Sequence, residues 1–361
     1  LHPSPAHPPA PPPASSSPSA IRRIVNAWRT LSGGAAARDH VRRTLIACSA
    51  GTDSSALAIA LAAALGARSR ELLVVAHVVH DLRPPREALA DRDLSRKLAQ
   101  RLGLAFSEAS IRVREHTPAN PEGVARRLRY QALATLAHQH ACAFIATAHH
   151  ADDQFETMLM RLIRGAGPRG LAGIAPRRTV RTAAGPIRVI RPMLCVDRAQ
   201  ARAICDEHAW TPAHDQTNAD TSRLRAFLRE RVLPALRERD PGVATRVADR
   251  AQLYRHVAHA LRDGAIALDA ATARVGEAGP AWSREALALE APAVLGEWIR
   301  RALASRGVGE DALGWPRVRA IARAIRDHRD DRREFAFRCP GQTNTEAVVA
   351  LRVDATRVLI V

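Results

Sequence analysis

Between Arg43 and His208, short and almost wholly apolar runs alternate with stretches of helical periodicity, and few folds accommodate that pattern. Thr44–Cys48 (TLIAC), Leu72–Val79 (LLVVAHVV), a weaker Leu104–Ile111, Cys142–Ala148 (CAFIATA) and Ile187–Met193 have strand length. Helical patterns fall near Ser54–Leu65, Arg86–Arg101, Gly123–His140, Gln154–Arg164 and Val196–His208. Strands apolar on both faces need cover on both faces, which crossover helices supply. The expected fold is therefore α/β: a parallel five-stranded sheet with helices on both faces. Ligands of such sheets bind outside the carboxyl ends of the strands.

After about Asn218 the strand signal stops. Arginine-rich helical stretches run to roughly Asp327, punctuated by Pro234, Pro241 and Pro280, and Glu334–Val361 reads as strands again. We expect a first domain over residues 21–218, then a basic, mainly helical domain over 219–361 with a small terminal β element. Residues 1–20 are almost wholly Pro, Ala, Ser and His, too poor in apolar side chains to offset ordering entropy, and are expected to form a disordered tail. No acidic residue precedes Asp39, while Arg22, Arg23 and Arg29 follow the proline tract, so residues 1–38 also fit an organellar transit peptide.

Charge narrows the partners. The 54 basic residues exceed the 36 acidic ones for a net +18, and a single lysine, Lys97, leaves nearly all of that to arginine. A GC-rich genome explains arginine in place of lysine but not the excess over acid, so the balance points to a polyanion such as nucleic acid. Aromatics at 4% are too few for stacking to be the main recognition device. No apolar run approaches the ~18 residues of a membrane helix. The five cysteines are odd in number and contain no CxxC pair, which fits a reducing cytosol rather than a disulfide framework or a cysteine zinc site.

Three segments carry chemistry. At the end of the first strand, Ser49-Ala50-Gly51-Thr52-Asp53-Ser54 runs from small and hydroxyl residues straight into a helix. Backbone N–H groups of such a loop, backed by the positive helix end, bind phosphate oxygens, and Asp53 can orient a Mg²⁺ ion bridging them. The same residues also fit an ordinary helix start capped by Thr52 or Asp53. A Walker loop is excluded, because it needs a lysine after glycine. Gly165–Gly170 matches GxGxxG but follows a helix and contains Pro168, so it is no dinucleotide site.

At the end of the fourth strand, His149-His150-Ala151-Asp152-Asp153-Gln154-Phe155-Glu156 crowds two histidines and three acids. Asp153 and Glu156 share a helical face and suit Mg²⁺ ligation or capture of an amine. The alternative is a helix capped by Asp152 with Glu156 in solvent. Arg126 and Arg129, one turn apart, can reach a phosphate or form a solvated face. His77 and His80 end the second strand on the same edge, without a third ligand at zinc spacing.

Together these residues resemble the tRNA(Ile)-lysidine synthases of the N-type ATP-pyrophosphatase, or PP-loop, superfamily. The family's S-G-G-x-D-S loop corresponds to Ser49–Ser54, its H-x-x-H-x-L-R to His77–Arg83, and its A-R-x-x-R-Y to Ala125–Tyr130. Its H-H-x-D-D-x-x-E-T corresponds to His149–Thr157, R-G-x-G-x-x-G-L-x-G to Arg164–Gly173, and R-P-L/M-L to Arg191–Leu194. The match covers about residues 43–235, and the ordered set is highly specific where each motif alone is weak.

The resemblance implies an adenine nucleotide alpha hydrolase-like fold and an ATP- and Mg²⁺-dependent ligase. It would attach L-lysine to the wobble cytidine of a tRNA(Ile) with a CAU anticodon, in the cytoplasm. It implies ATP at Ser49–Ser54, catalysis or lysine binding by Asp153, Glu156, Arg126 and Arg129, and an active-site edge of His77, His80, His149, His150 and Asp152. It implies that residues 21–218 form the ATP-binding catalytic domain and that the basic domain over 219–361 grips the tRNA. Arg164, Arg225 and Arg229 become candidate tRNA contacts, and the resemblance admits a homodimer.

Two departures stand out. Ala50 replaces a loop glycine, and Arg225-Ala226-Phe227-Leu228-Arg229, after Asp215-Gln216-Thr217-Asn218, replaces R-N-R-x-R with two apolar residues at polar positions. They leave room for a weakened tRNA-binding relative. A PP-loop thiolase would carry cysteine pairs, and an amide synthetase an amidotransferase domain for which residues 1–42 leave no space.

Overall fold

A computed structural model of the chain describes residues 17–33, 42–82, 84–115, 121–213, 224–276, 279–327, 332–340 and 346–361. Residues 1–16 of the expected tail, Arg83, Asn120 and the Asp215–Asn218 segment lie outside the described residues. Residues 17–20 depart from the tail expectation: they open helix α1 (Ser17–Leu31). Ser17-Pro18 is an ordinary helix opening, and the face bearing Ala20, Ile24 and Trp28 is fully buried.

The chain divides into two compact units, one of Leu1–Met160 and Gly173–Ala251, the other of Arg161–Ala172 and Gln252–Val361. In the first, β1 (Thr44–Ala47), α2 (Thr52–Leu65), β2 (Leu73–His80), α3 (Pro85–Leu102) and β3 (Ala105–Ile111) follow in order. After them come α4 (Pro121–Gln139), β4 (Phe144–Ala146), α5 (Ala151–Ile163), β5 (Arg177–Thr182), β6 (Gly185–Ile190), α6 (Arg198–Glu207) and α7 (Leu233–Arg239). The sheet order is β3-β2-β1-β4-β6-β5, with the first five strands parallel and β5 antiparallel to β6.

The five parallel strands are the expected ones. β5 adds a sixth at the edge, and its sequence RRTVRT, with an exposed row of arginines, is the charged kind that blunts an edge. The last parallel strand ends at Ile190 rather than Met193, because Pro192 has no N–H for the ladder and opens a 3₁₀ turn. Helix α2 is apolar nearly all round and is accordingly enclosed, packing with α1 and α6 on one sheet face. Helix α4 covers the other face through Tyr130, Leu133 and Ala137.

In the second unit lie most of the described chain from the later part of α8 (Val243–Thr272) onward: β7 (Ala273–Gly276), β8 (Gly279–Ser283), α9 (Arg284–Leu289), α10 (Pro292–Ala304), α11 (Trp315–Arg326), β9 (Arg333–Pro340), β10 (Glu346–Val353) and β11 (Arg357–Ile360). The terminal strands are as expected. The β7–β8 hairpin, in a stretch read as helical, is a correction: it completes an antiparallel sheet of order β7-β8-β11-β10-β9. Arg357, Val358 and Leu359 of β11 pair with Ser283, Trp282 and Ala281 of β8, a long-range partnership that local periodicity does not reveal. Trp282 and Trp298 meet edge to face at 5.3 Å and both donate to Asp269 Oδ1, at 2.8 and 3.0 Å.

Candidate active site

The loop between β1 and α2 is built around hydroxyl groups. Ser54 Oγ accepts from the Ser49 N–H at 3.1 Å, donates to the Gly51 carbonyl at 3.1 Å and lies 3.2 Å from Ser49 Oγ. The N-cap is Gly51, and no side chain caps α2, so neither Thr52 nor Asp53 plays the capping part. Without a side-chain acceptor of its own, the helix opening suits an incoming anion. Ala50 is buried and adopts φ 65°, the left-handed region, with its carbonyl accepting from the Ala213 N–H at 3.0 Å. His77 ties β2 to this loop: its Nδ1 donates to the Cys48 carbonyl at 2.9 Å, and burial lowers its pKa.

Where β4 yields to α5, the acids and histidines form one buried network. His150 Nε2 lies 3.3 Å from Asp53 Oδ2 and 3.7 Å from Asp153 Oδ2. Burial alone would lower the His150 pKa, but the carboxylates of Asp153, Asp53 and Asp152 outweigh it and raise it to about 9. Burial drives the neighbouring His149 the other way, down to about 4, despite Asp153. Its Nδ1 lies 3.0 Å from Thr147 Oγ1. Burial would raise Asp153, yet the facing His150 and His149 and the His150 N–H hold it below the usual carboxylate range. Adjacent imidazoles thus hold opposite charge states at pH 7.

Glu156 is fully buried, not solvated. Arg225 Nε donates to Glu156 Oε2 at 2.7 Å, and Arg229 donates to both oxygens at 2.8 and 3.0 Å. Arg225 also reaches Asp153 Oδ1 at 3.3 Å. Asp152, equally buried, accepts from Arg237 at 2.5 Å and from the Arg198 N–H at 3.2 Å, so it braces α5 against α6 and α7. Arg237 carried no signal in the sequence, since its partner is 85 residues away. Gln154, also passed over, accepts from the Ile174 N–H at 2.6 Å. Gly173 at φ 63° leaves room for that amide, because a Cβ there would lie 2.4 Å from Gln154 Nε2.

These elements enclose a cavity of about 500 Å³ at the carboxyl edge of the sheet. Its lining includes Ser49, Asp53 and Ser54 of the loop, His77, His80 and His149, and Arg126, Arg129, Asp153, Arg225 and Arg229. Arg126 lies over one side of the Tyr130 ring at 5.4 Å and Arg178 lies 5.0 Å from the same ring. Arg164 is exposed and belongs to the other unit, outside this cavity. Among the described residues no cluster of three or more His, Cys, Asp or Glu side chains forms a metal cage. Asp53 Oδ1 is buried without a hydrogen-bond partner, and Mg²⁺ commonly takes one or two carboxylates and completes its shell with phosphate oxygens and water. The donor set therefore fits Mg²⁺ held jointly with a polyphosphate.

A family profile described as a PP-loop domain matches residues 21–236. The chain is 43% identical over 231 residues to the tRNA(Ile)-lysidine synthase of Salinispora arenicola, a match spanning 62% of this chain and 66% of that one. It is 40% identical over 292 residues to the tRNA(Ile)-lysidine synthase of Salinispora tropica, spanning 75% and 83%. Among solved structures, the U34-tRNA thiolase of Methanococcus maripaludis shares the fold with a TM-score of 0.50 at 15% identity, over 66% of this chain and 81% of that one.

Proposed function

Because this chain belongs to the tRNA(Ile)-lysidine synthase family and carries its PP-loop domain, we propose that it uses ATP to join L-lysine to C2 of the wobble cytidine, position 34, of a tRNA(Ile) with a CAU anticodon. One observation carries the reading: a hydroxyl-lined helix start and the Asp153 carboxylate, held below the usual carboxylate range, face one cavity. The first suits a polyphosphate and the second an ammonium group, the two unlike substrates this ligation requires.

In the first step the C2 oxygen of cytosine attacks the α-phosphorus of ATP and pyrophosphate departs. In the second the lysine ε-nitrogen attacks C2, the C2–O bond breaks and AMP leaves. Ser49, Ser54 and the N-terminal amides of α2 would hold the phosphates against charge developing on the leaving group. Bound Mg²⁺, with Asp53 as its carboxylate ligand, would supply further neutralisation. Asp153 attracts the lysine ammonium, and Glu156 behind it holds Arg225 and Arg229 in the cavity wall. Because its partners hold the Asp153 carboxyl below the usual carboxylate range, Asp153 holds the ammonium better than it accepts its proton. His149, its pKa lowered to about 4 by burial, is uncharged at pH 7 and adds no repulsion against the ammonium. Positioning three substrates in one cavity accounts for most of the expected acceleration.

The test is mass spectrometry of tRNA(Ile) nucleosides after incubation with the protein, ATP, Mg²⁺ and lysine. Lysidine should appear and depend on all three. Unchanged cytidine with the folded protein would reject the reading in favour of a tRNA binder with a disabled loop.

A further inference from the structure

The Arg164–Gly173 segment takes no part in the chemistry above. Its chain turns at Gly165, φ 73°, and makes one helical turn over Pro168–Leu171. Arg161 Nη1 donates to the Gly170 carbonyl at 2.8 Å, and Arg255 Nη1 of α8 donates to the Ala172 carbonyl at 3.0 Å. A Cβ on Gly170 would lie 2.5 Å from that of Ala166, so the turn is as tight as glycine allows.

Fastened this way, the segment closes a cavity of about 290 Å³ with α8 and α10, wholly within the second unit. Helix α8 presents Arg255, His259 and Arg262 along one face, at spacings of four and three, while α10 adds Arg301 and the turn adds Arg169. Four arginines and a histidine thus line the cavity with a single acid, Glu297. Two more acids stand at the rim: Asp263 pairs with Arg262 at 3.2 Å and Glu310 with Arg169 at 2.7 Å, both in exposed pairs of the kind that bind weakly. Burial lowers the Arg255 pKa, and that of neighbouring Arg300 as well, where Arg169 adds to it against Glu297 and Glu310. An anion in the cavity would relieve the first, since Arg255 lines it.

The wall holds no Phe, Tyr or Trp, so it offers a base nothing to stack on, whereas the guanidinium groups of its arginines match phosphate oxygens. A volume near ten times that of a water molecule, ~30 Å³, admits a phosphodiester with part of its hydration. We propose that this cavity docks the phosphodiester backbone of the RNA substrate, a second phosphate site built by the Arg164–Gly173 turn. That the RNA is tRNA(Ile) rests on the reading above.

The test compares wild type with Arg262→Gln/Arg301→Gln, both at exposed positions, in filter binding of a tRNA(Ile) transcript from about 50 to about 200 mM salt. The double variant should weaken binding roughly tenfold per lost contact near 0.1 M salt and flatten the logarithmic salt slope by one to two units. Arg301→Gln alone should give about half of that change. Unaltered affinity and slope in variants with native circular dichroism would overturn the proposal. So would lost binding of inorganic phosphate with tRNA binding intact, since the cavity would then serve free anions. Lysidine formation by wild type is scored separately: lysidine with an unchanged slope removes only this site. A flattened slope without lysidine removes only the reaction.

Discussion

Ala50 sits at φ 65° in a loop whose resemblance calls for glycine. A Cβ in the left-handed region costs about 1 kcal/mol. Ala50→Gly should therefore raise stability by about 1 kcal/mol and the melting temperature by roughly 2–4 °C, and modestly lower the KM for ATP with little change in kcat. Calorimetry and steady-state kinetics check both halves. If only the glycine variant turns over ATP, the alanine has disabled the site. The sequence exposes the substitution but not the sign of φ, which the β1–α2 connection sets. A second residue gives a pH signature. With its pKa raised to about 9 from an ordinary 6.5, His150 contributes stability fully present below about pH 6.5 and lost as pH rises through about 9. Melting curves from about pH 6.5 to about 9.5 should show wild type losing more stability than His150→Gln; parallel losses would mean that the imidazole is not charged at neutral pH.

At the scale of elements, α5 and the helical segment from Leu224 to Arg239 act as one unit. The short spacing of Asp153 and Glu156 made their shared face readable in the sequence. The partners were not readable, because Arg225 and Arg229 lie 69 and 73 residues from Glu156. Periodicity likewise revealed the five parallel strands, whose apolar runs are continuous, and missed β5, which is polar, and the β7–β8 hairpin, which depends on β11. The arrangement predicts that Glu156→Gln and Asp153→Asn abolish lysidine formation while leaving tRNA binding within about threefold, a change well under 1 kcal/mol. Full activity of both variants at saturating lysine would remove the acids from the mechanism.

Across the whole molecule, the net charge of +18 is shared by two units with separate cores, and among the described residues no helix is long and apolar enough to cross a membrane. Charge alone made a polyanionic partner legible, but composition could not show which arginines are spent on internal carboxylates and which remain for RNA. Arg225, Arg229 and Arg237 are of the first kind, and on our proposal the arginines of the α8–α10 cavity are of the second. Wild-type binding of tRNA should accordingly weaken steeply with salt, by about one logarithmic unit of slope for each phosphate contact, and a flat titration would make the charge excess compositional only. The arginine grip on Glu156 also bears on the choice of denaturant. Guanidinium chloride is a soluble copy of the group already seated on that carboxylate, whereas urea is not. At concentrations well below the unfolding midpoint, guanidinium ions should compete with Arg225 and Arg229 and block lysine entry. Activity should then fall before tryptophan fluorescence shifts, and free energies extrapolated from the two denaturants should disagree. Equal activity loss in urea at matched fractional unfolding would count against that competition.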